Sequence, residues 1–147
     1  MAAAPNNKSN SSFSFSVAMT SERINSFAKA TGDFNQVHFD ADAARALFGS
    51  ACTAPVVPGM LVISCAATGI VERLKDGTML REVGAWKPKN FVMQDEIVEY
   101  EAWEADRSVR GRQVFIEIAT RMFFTRNGNR MEFSKDPISV WFYRTED

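Results

Sequence analysis

The segment that most restricts how this chain can fold begins at Pro58-Gly59 and continues as MLVISCAATGIVERL to Leu74. Ile63, Ala67, Ile70 and Leu74 fall at i, i+4, i+7 and i+11, which is the repeat of one helical face. Met60, Leu61, Val62, Cys65 and Val71 are apolar too, so the first turns of this helix are greasy nearly all round. A helix of that kind has to be enclosed by other elements. It cannot be enclosed by lipid, because its apolar run is interrupted well before the roughly 18 residues that a bilayer span requires.

The rest of the chain supplies the enclosure. Phe13, Phe15 and Val17 alternate with serines and predict a short strand. Thr20 or Ser21 can cap a helix that carries Ile24, Phe27 and Ala28 on one face and stops at Gly32. Asp40 can cap a second helix over 41–48, with Ala44 and either Leu47 or Phe48 turned inward and Gly49 at its end. After the apolar helix come alternating runs over 79–93, 96–105, 112–126 and 138–143, separated by turn residues at 94–95, 108–111 and Asn127-Gly128. Val114, Ile116, Ile118 and Met122 share one face of the third run, with Glu117 and Arg121 on the other face or at its edge. A chain of 147 residues, 46% hydrophobic, has material for one core and not two. The expectation is a single α+β domain over 13–147, an antiparallel sheet wrapped around the long helix, preceded by a disordered polar tail over 1–12.

Composition removes many chemistries. There is one His, and the two cysteines, Cys52 and Cys65, have no ligand pair to join, so no Cys/His zinc site can be assembled. They read as small buried residues in a reducing compartment. Nucleophile-elbow, P-loop and dinucleotide-binding glycine patterns do not occur. The 17 basic and 18 acidic side chains leave a net charge of −1, with no global field to draw in nucleic acid or an anionic membrane. The first residues, MAAAPNNKSNSS, lack the apolar core of a signal peptide, which makes the cytoplasm the expected location. Any chemistry must come from carboxylates, the one imidazole, hydroxyls and backbone amides.

Those groups gather in one stretch. Gly32-Asp33-Phe34-Asn35-Gln36-Val37-His38 lies between two predicted helices, and Pro58-Gly-Met-Leu-Val-Ile-Ser64 opens the long one. The first segment resembles the GDxNPxH signature of the MaoC-like, R-specific enoyl-CoA hydratase (hydratase 2) family, the second its HGMLxxS block. A looser likeness covers 86–96, and the whole extends over about 13–143. The resemblance implies the hot-dog fold, with Asp33 and His38 as the catalytic acid-base pair and the helix-start Gly59 as oxyanion donor. It also implies that subunits pair edge to edge, as a homodimer or a heterodimer, and that the carrier of the acyl chain passes near Lys87. Two positions depart from the pattern: Gln36 stands where the family has Pro, and Pro58 where it has His. Neither removes a reacting group, although the second changes the pocket wall.

Elementary chemistry agrees with these roles. Adding water to an enoyl thioester needs a group to take a proton from water, a group to protonate the α-carbon, and donors for the thioester oxygen as it becomes an enolate. Asp33 and His38 share a loop short enough to converge on one water, and Asn35 can orient it. The amide of Gly59 points out of a helix N-terminus. Ser64 can hold the His or the Asp. Each has a plainer reading: a solvated His, an Asx-turn Asp33, a turn glycine at 59, and a Ser64 that bonds back to its own helix. Arg107, Arg110 and Arg112 around a hairpin turn read as a solvated rim rather than a phosphate site.

The expected function is therefore that of a lyase that hydrates trans-2-enoyl thioesters or dehydrates 3-hydroxyacyl thioesters, carried on CoA or an acyl carrier protein, with no metal or cofactor. A hot-dog thioesterase is the second reading, weakened because no acid lies between Gly59 and Val71. An acyl-binding subunit of a heterodimeric dehydratase is the third, and the retained Asp33/His38 pair counts against it.

Overall fold

The structure, a computed structural model, describes residues 12–146. The chain forms β1 (Ser12–Ala18), α1 (Ser21–Thr31), a 3-10 turn (Gln36–His38), α2 (Ala41–Phe48), α3 (Gly59–Val71), β2 (Met79–Val83), β3 (Ile97–Arg110), β4 (Gln113–Arg126), β5 (Asn129–Glu132) and β6 (Ile138–Thr145). The predicted tail lies outside the described residues except for Ser12, which opens β1 opposite Trp103.

The sheet is antiparallel with order β1-β3-β4-β6-β2, and β5 pairs with the far half of β4. Its inner face is read off the period-2 pattern: Val114, Ile116, Ile118, Thr120, Met122 and Phe124 of β4 are all buried. They pack with Val98, Tyr100 and Ala102 of β3 and with Ile138, Val140 and Phe142 of β6 against the apolar face of α3. This is the hot-dog arrangement, an α+β domain whose sheet curls round one helix.

The contact between helix and sheet is close in two ways. Tyr100 Oη donates to the Val62 carbonyl oxygen at 2.9 Å, a buried hydrogen bond that fixes the height of α3 over β3. At Gly69 the ring of Phe15 lies so near that an added Cβ would overlap its Cε2. That ring in turn stacks on Tyr100, with centroids 4.8 Å apart, so β1, β3 and α3 meet at one aromatic pair. The enclosure is not complete. Met60, Ser64 and Thr68, one helical stripe, stay exposed.

Four boundaries differ from the sequence reading. α3 ends at Val71, because Arg73 and Leu74 donate to the carbonyls of Ile70 and Val71 three residues back and tighten the last turn. The first of the four predicted strands shrinks to β2, ending where the Gly84 amide turns to the Ser139 carbonyl at 2.7 Å, and 85–96 runs on as an irregular segment. Of the expected turn over 108–111, Ser108 to Arg110 are strand, paired through Arg110 opposite Gln113, and the turn itself is Gly111 with Arg112. Asn127-Gly128, both at positive φ, returns the chain as β5, a strand that the pattern did not predict. On α2 only Ala44 of the expected inward residues is buried: Leu47 is 67% and Phe48 40% exposed, although the Phe48 ring sits 5.2 Å from that of Phe91.

Thr120 is fully buried, and among the described residues its Oγ1 has no hydrogen-bond partner. A stranded hydroxyl of this kind costs about 1–3 kcal/mol, so Thr120→Val should raise stability by about 1 kcal/mol in urea unfolding. Gly69→Ala should lower it by about 1–3 kcal/mol, since the new methyl has to displace the Phe15 ring from its stack.

Candidate active site

The site begins with a local turn that the sequence encodes residue by residue. Thr31 Oγ1 donates to the Phe27 carbonyl at 2.8 Å at the end of α1 and accepts from the Asp33 amide at 3.4 Å. Asp33 Oδ1 accepts the Asn35 amide at 3.3 Å, and Asn35 Oδ1 accepts the Val37 amide at 3.3 Å. This relay of short polar caps leads from α1 into the 3-10 turn Gln36–His38 and brings the second oxygen of Asp33 beside His38. The two meet with Nε2 and Oδ2 3.4 Å apart, His38 mostly buried and Asp33 half exposed.

The other ring nitrogen faces a backbone carbonyl. His38 Nδ1 lies 2.6 Å from the carbonyl oxygen of Val56. A carbonyl only accepts, so Nδ1 carries the hydrogen, and in the neutral ring Nε2 is left with its lone pair facing the carboxylate. Two acceptors cannot bond each other. A water that donates one hydrogen to each satisfies both, and once Nε2 takes a proton it becomes a donor to Asp33.

Val56 is held in a short antiparallel pairing with Met93, with Val57 donating to the Val92 carbonyl and Gln94 to that of Pro55, each at 2.8 Å. The Val56 amide also donates to Val37, beside the histidine. A small core of Ala44, Cys52, Val56 and Met93, with Val37 and Phe91 against it, carries this pairing beneath α2.

Three residues after Val56, at most about 11 Å along the chain, α3 starts at Gly59. Its N-cap, Pro58, makes no side-chain cap bond; the Leu61 amide turns back to the Pro58 carbonyl at 3.0 Å, and the amides of Gly59 and Met60 precede it at the helix start. Gly59 is required for space: a Cβ there would lie 2.9 Å from Cη2 of Trp86. Trp86 had no role in the sequence reading, although it stood in the third block of the resemblance. A contact between a glycine and a side chain 27 positions away leaves no periodic signal.

The same indole forms part of the wall of a cavity of about 490 Å³. Lys87, Pro88 and Lys89 continue that wall, and Ser134 to Pro137, the break between β5 and β6, make the other. Lys87 therefore lies in a basic groove whose inner wall touches the α3 start, but the groove shares no lining residue with Asp33 or His38. Ser64 is elsewhere. Its Oγ donates back to the Met60 carbonyl at 2.7 Å, and it lines a separate groove of about 410 Å³ with Phe15, Arg23, Cys65 and Thr68. Burial pushes the Cys65 thiol up despite the nearby Arg23, which leaves it an inert wall residue rather than a nucleophile. The arginines of the β3–β4 hairpin are engaged: Arg107 forks onto Glu104 at 2.8 Å, Arg110 lies over the Phe115 ring, and Arg112 Nε donates to the Glu146 carbonyl.

Residues 4–122 match the MaoC like domain. The chain belongs to the MaoC-like family. No curated protein sequence matches it. Among solved structures the MaoC-like fold of this chain is similar to the (R)-hydratase from A. caviae involved in PHA biosynthesis, with a TM-score of 0.72 at 19% identity, covering 97% of this chain and 100% of that one. It is similar to the unliganded R-hydratase PhaJ1 from Pseudomonas aeruginosa, with a TM-score of 0.72 at 18% identity over 94% and 82% of the two chains. A third likeness is to the 3R-hydroxyacyl-ACP dehydratase complex HadBC from Mycobacterium tuberculosis, with a TM-score of 0.64 at 14% identity over 93% and 96%. Among the described residues of this MaoC-like chain no helix is long and apolar enough to cross a membrane.

The contact of Gly59 with Trp86 can be tested by a double-mutant cycle. Gly59→Ala should cost about 1–3 kcal/mol in urea unfolding, and less in a Trp86→Phe background, where the atoms that the methyl meets are gone.

Proposed function

We propose that this protein is a hydro-lyase that interconverts trans-2-enoyl and 3-hydroxyacyl thioesters, with Asp33 and His38 as its acid-base pair. The observation that carries the reading is the Nδ1 contact of His38 with Val56, which leaves Nε2 basic and opposite a carboxylate. In the hydration direction a water held by both groups attacks the β-carbon while Nε2 takes one of its protons. The imidazolium, paired with Asp33, then delivers that proton to the α-carbon, and the pair ends as it began. Between the two transfers the thioester oxygen carries the negative charge, and the open amide of Gly59 is the donor assigned to it. Asn35 orients the Asp33 carboxylate through its amide, and Ser64 lies on the open stripe of α3, along which the acyl chain has room to run.

We assign the groove of Lys87, Lys89 and Lys135 to the anionic carrier of the thioester, a CoA or an acyl carrier protein. A second copy of the chain, identical or related, would pair at β2, a sheet edge with Met79 55% and Leu80 47% exposed. Thioester hydrolysis is the weaker alternative. α3 carries no carboxylate to activate water against the carbonyl.

Loss of enoyl absorbance with CoA and carrier-protein thioesters tests the reading. Asp33→Asn and His38→Ala should each lower kcat by about a hundredfold or more. Retained hydration by His38→Ala, or release of free thiol in place of hydration, would refute it. Reversing the charge of Lys87 and Lys89 together should raise KM for CoA thioesters several-fold while leaving a short thioester without a nucleotide unaffected.

A further inference from the structure

Arg126 is the last residue of β4, and its side-chain hydrogen bonds all go to the segment 91–96. Its side chain is 12% exposed and that of its partner Glu96 13%. Nε and Nη2 fork onto the two oxygens of Glu96 at 2.7 and 2.8 Å, and Nη2 also donates to the Phe91 carbonyl at 2.8 Å. The guanidinium lies over the rings of Phe91 and Phe124, 4.6 and 5.0 Å from their centroids. Glu96 Oε2 accepts the Met93 amide at 2.7 Å. One planar group thus ties down both ends of the irregular segment 91–96.

That segment holds Val56 from one side, while the Val56 amide donates to the Val37 carbonyl at 2.8 Å on the other. Val92 and Gln94 bond to Val57 and Pro55 on either side of it, Met93 is its bridge partner, and its carbonyl fixes the His38 ring at 2.6 Å. The lattice of bonds therefore runs from guanidinium to carboxylate, to the Met93 amide, to the paired strand 55–57, and so to Nδ1. No other strand pairing supports 55–57 among the described residues.

We propose that the Arg126–Glu96 pair is a positioning device for His38: it fixes the Val56 carbonyl and, through it, the tautomer and orientation of the imidazole. Its effect on rate rests on the hydratase reading, whereas its effect on the ring does not. A buried ion pair adds little to stability compared with apolar packing of the same volume, but a planar fork with fixed donor directions specifies geometry well. Arg126 is a positioning residue, since nothing on its side chain reaches the site.

The chain has a single His, so the ring ¹⁵N resonances of the full-length protein report on His38 alone. With the ring neutral, the wild type should show Nδ1 bearing the hydrogen and Nε2 bare. In Arg126→Met and Glu96→Gln the two signals should move toward each other as the Nε2–H tautomer becomes populated. Arg126→Lys, which can reach only one carboxylate oxygen and leaves the Phe91 carbonyl unserved, should fall between. In the enoyl assay kcat should drop by about tenfold to a hundredfold with KM within about twofold. If Arg126→Met does not fold, Arg126→Lys and Glu96→Gln decide. Ring signals identical to wild type in the folded variants overturn the proposal, whether or not kcat falls, because a general loss of packing lowers activity without shifting the tautomer. If the wild type hydrates no enoyl thioester at all, the hydratase reading fails by itself, and the ring signals still decide the positioning role.

Discussion

Everything in this fold depends on giving α3 a place out of water. Eight of its thirteen residues are buried, and no short element could cover them. Two fourteen-residue strands, β3 and β4, form the bed, and β1 and β6 flank them to complete the curl. Because one side of the helix is buried from Leu61 to Ile70, its apolar mass fixes the position of its first amides. The place where an anion could be stabilised is set by the core, not by a flexible loop.

Around that fixed point the site is assembled from two pieces with little regular structure. One is the polar relay 31–38, which builds its own shape from hydroxyl and carboxylate caps. The other is the pairing of 55–57 with 92–94, which depends on a distant arginine. The imidazole joins them, with one nitrogen on each piece. A single histidine is thereby bonded to one piece through Nδ1 and turns Nε2 toward the carboxylate of the other.

Much of this was readable in the sequence, and the reason differs by element. The caps of α1 and α2, Thr20 and Asp40, each accept an amide as their residue types predict, because capping is local chemistry. The α3 face and the inner face of β4 were legible because burial repeats at a fixed period. Asp33 and His38 could be brought together because they share one loop. What escaped depends on partners far along the chain. Val56 acts through its backbone, which no side-chain pattern marks. Trp86 matters because of Gly59, and Arg126 because of Glu96. The early end of β2 and the existence of β5 follow from how β4 divides its edge between two neighbours, a feature that only the assembled sheet possesses.

That divided edge has an evolutionary consequence. Phe133 is buried and its amide bonds the Met122 carbonyl, so the register of β4 is secured before the chain leaves the sheet at Ser134 and again when it returns at Ile138. The four residues from Ser134 to Pro137 are anchored at both ends and answer to no strand partner except through the Pro88–Ser134 bridge. They form one whole wall of the groove beside Trp86. Insertions or deletions there would resize the groove without shifting a single pair in the ladder, so lineages built on this scaffold can diverge in what they accept while inheriting an untouched core.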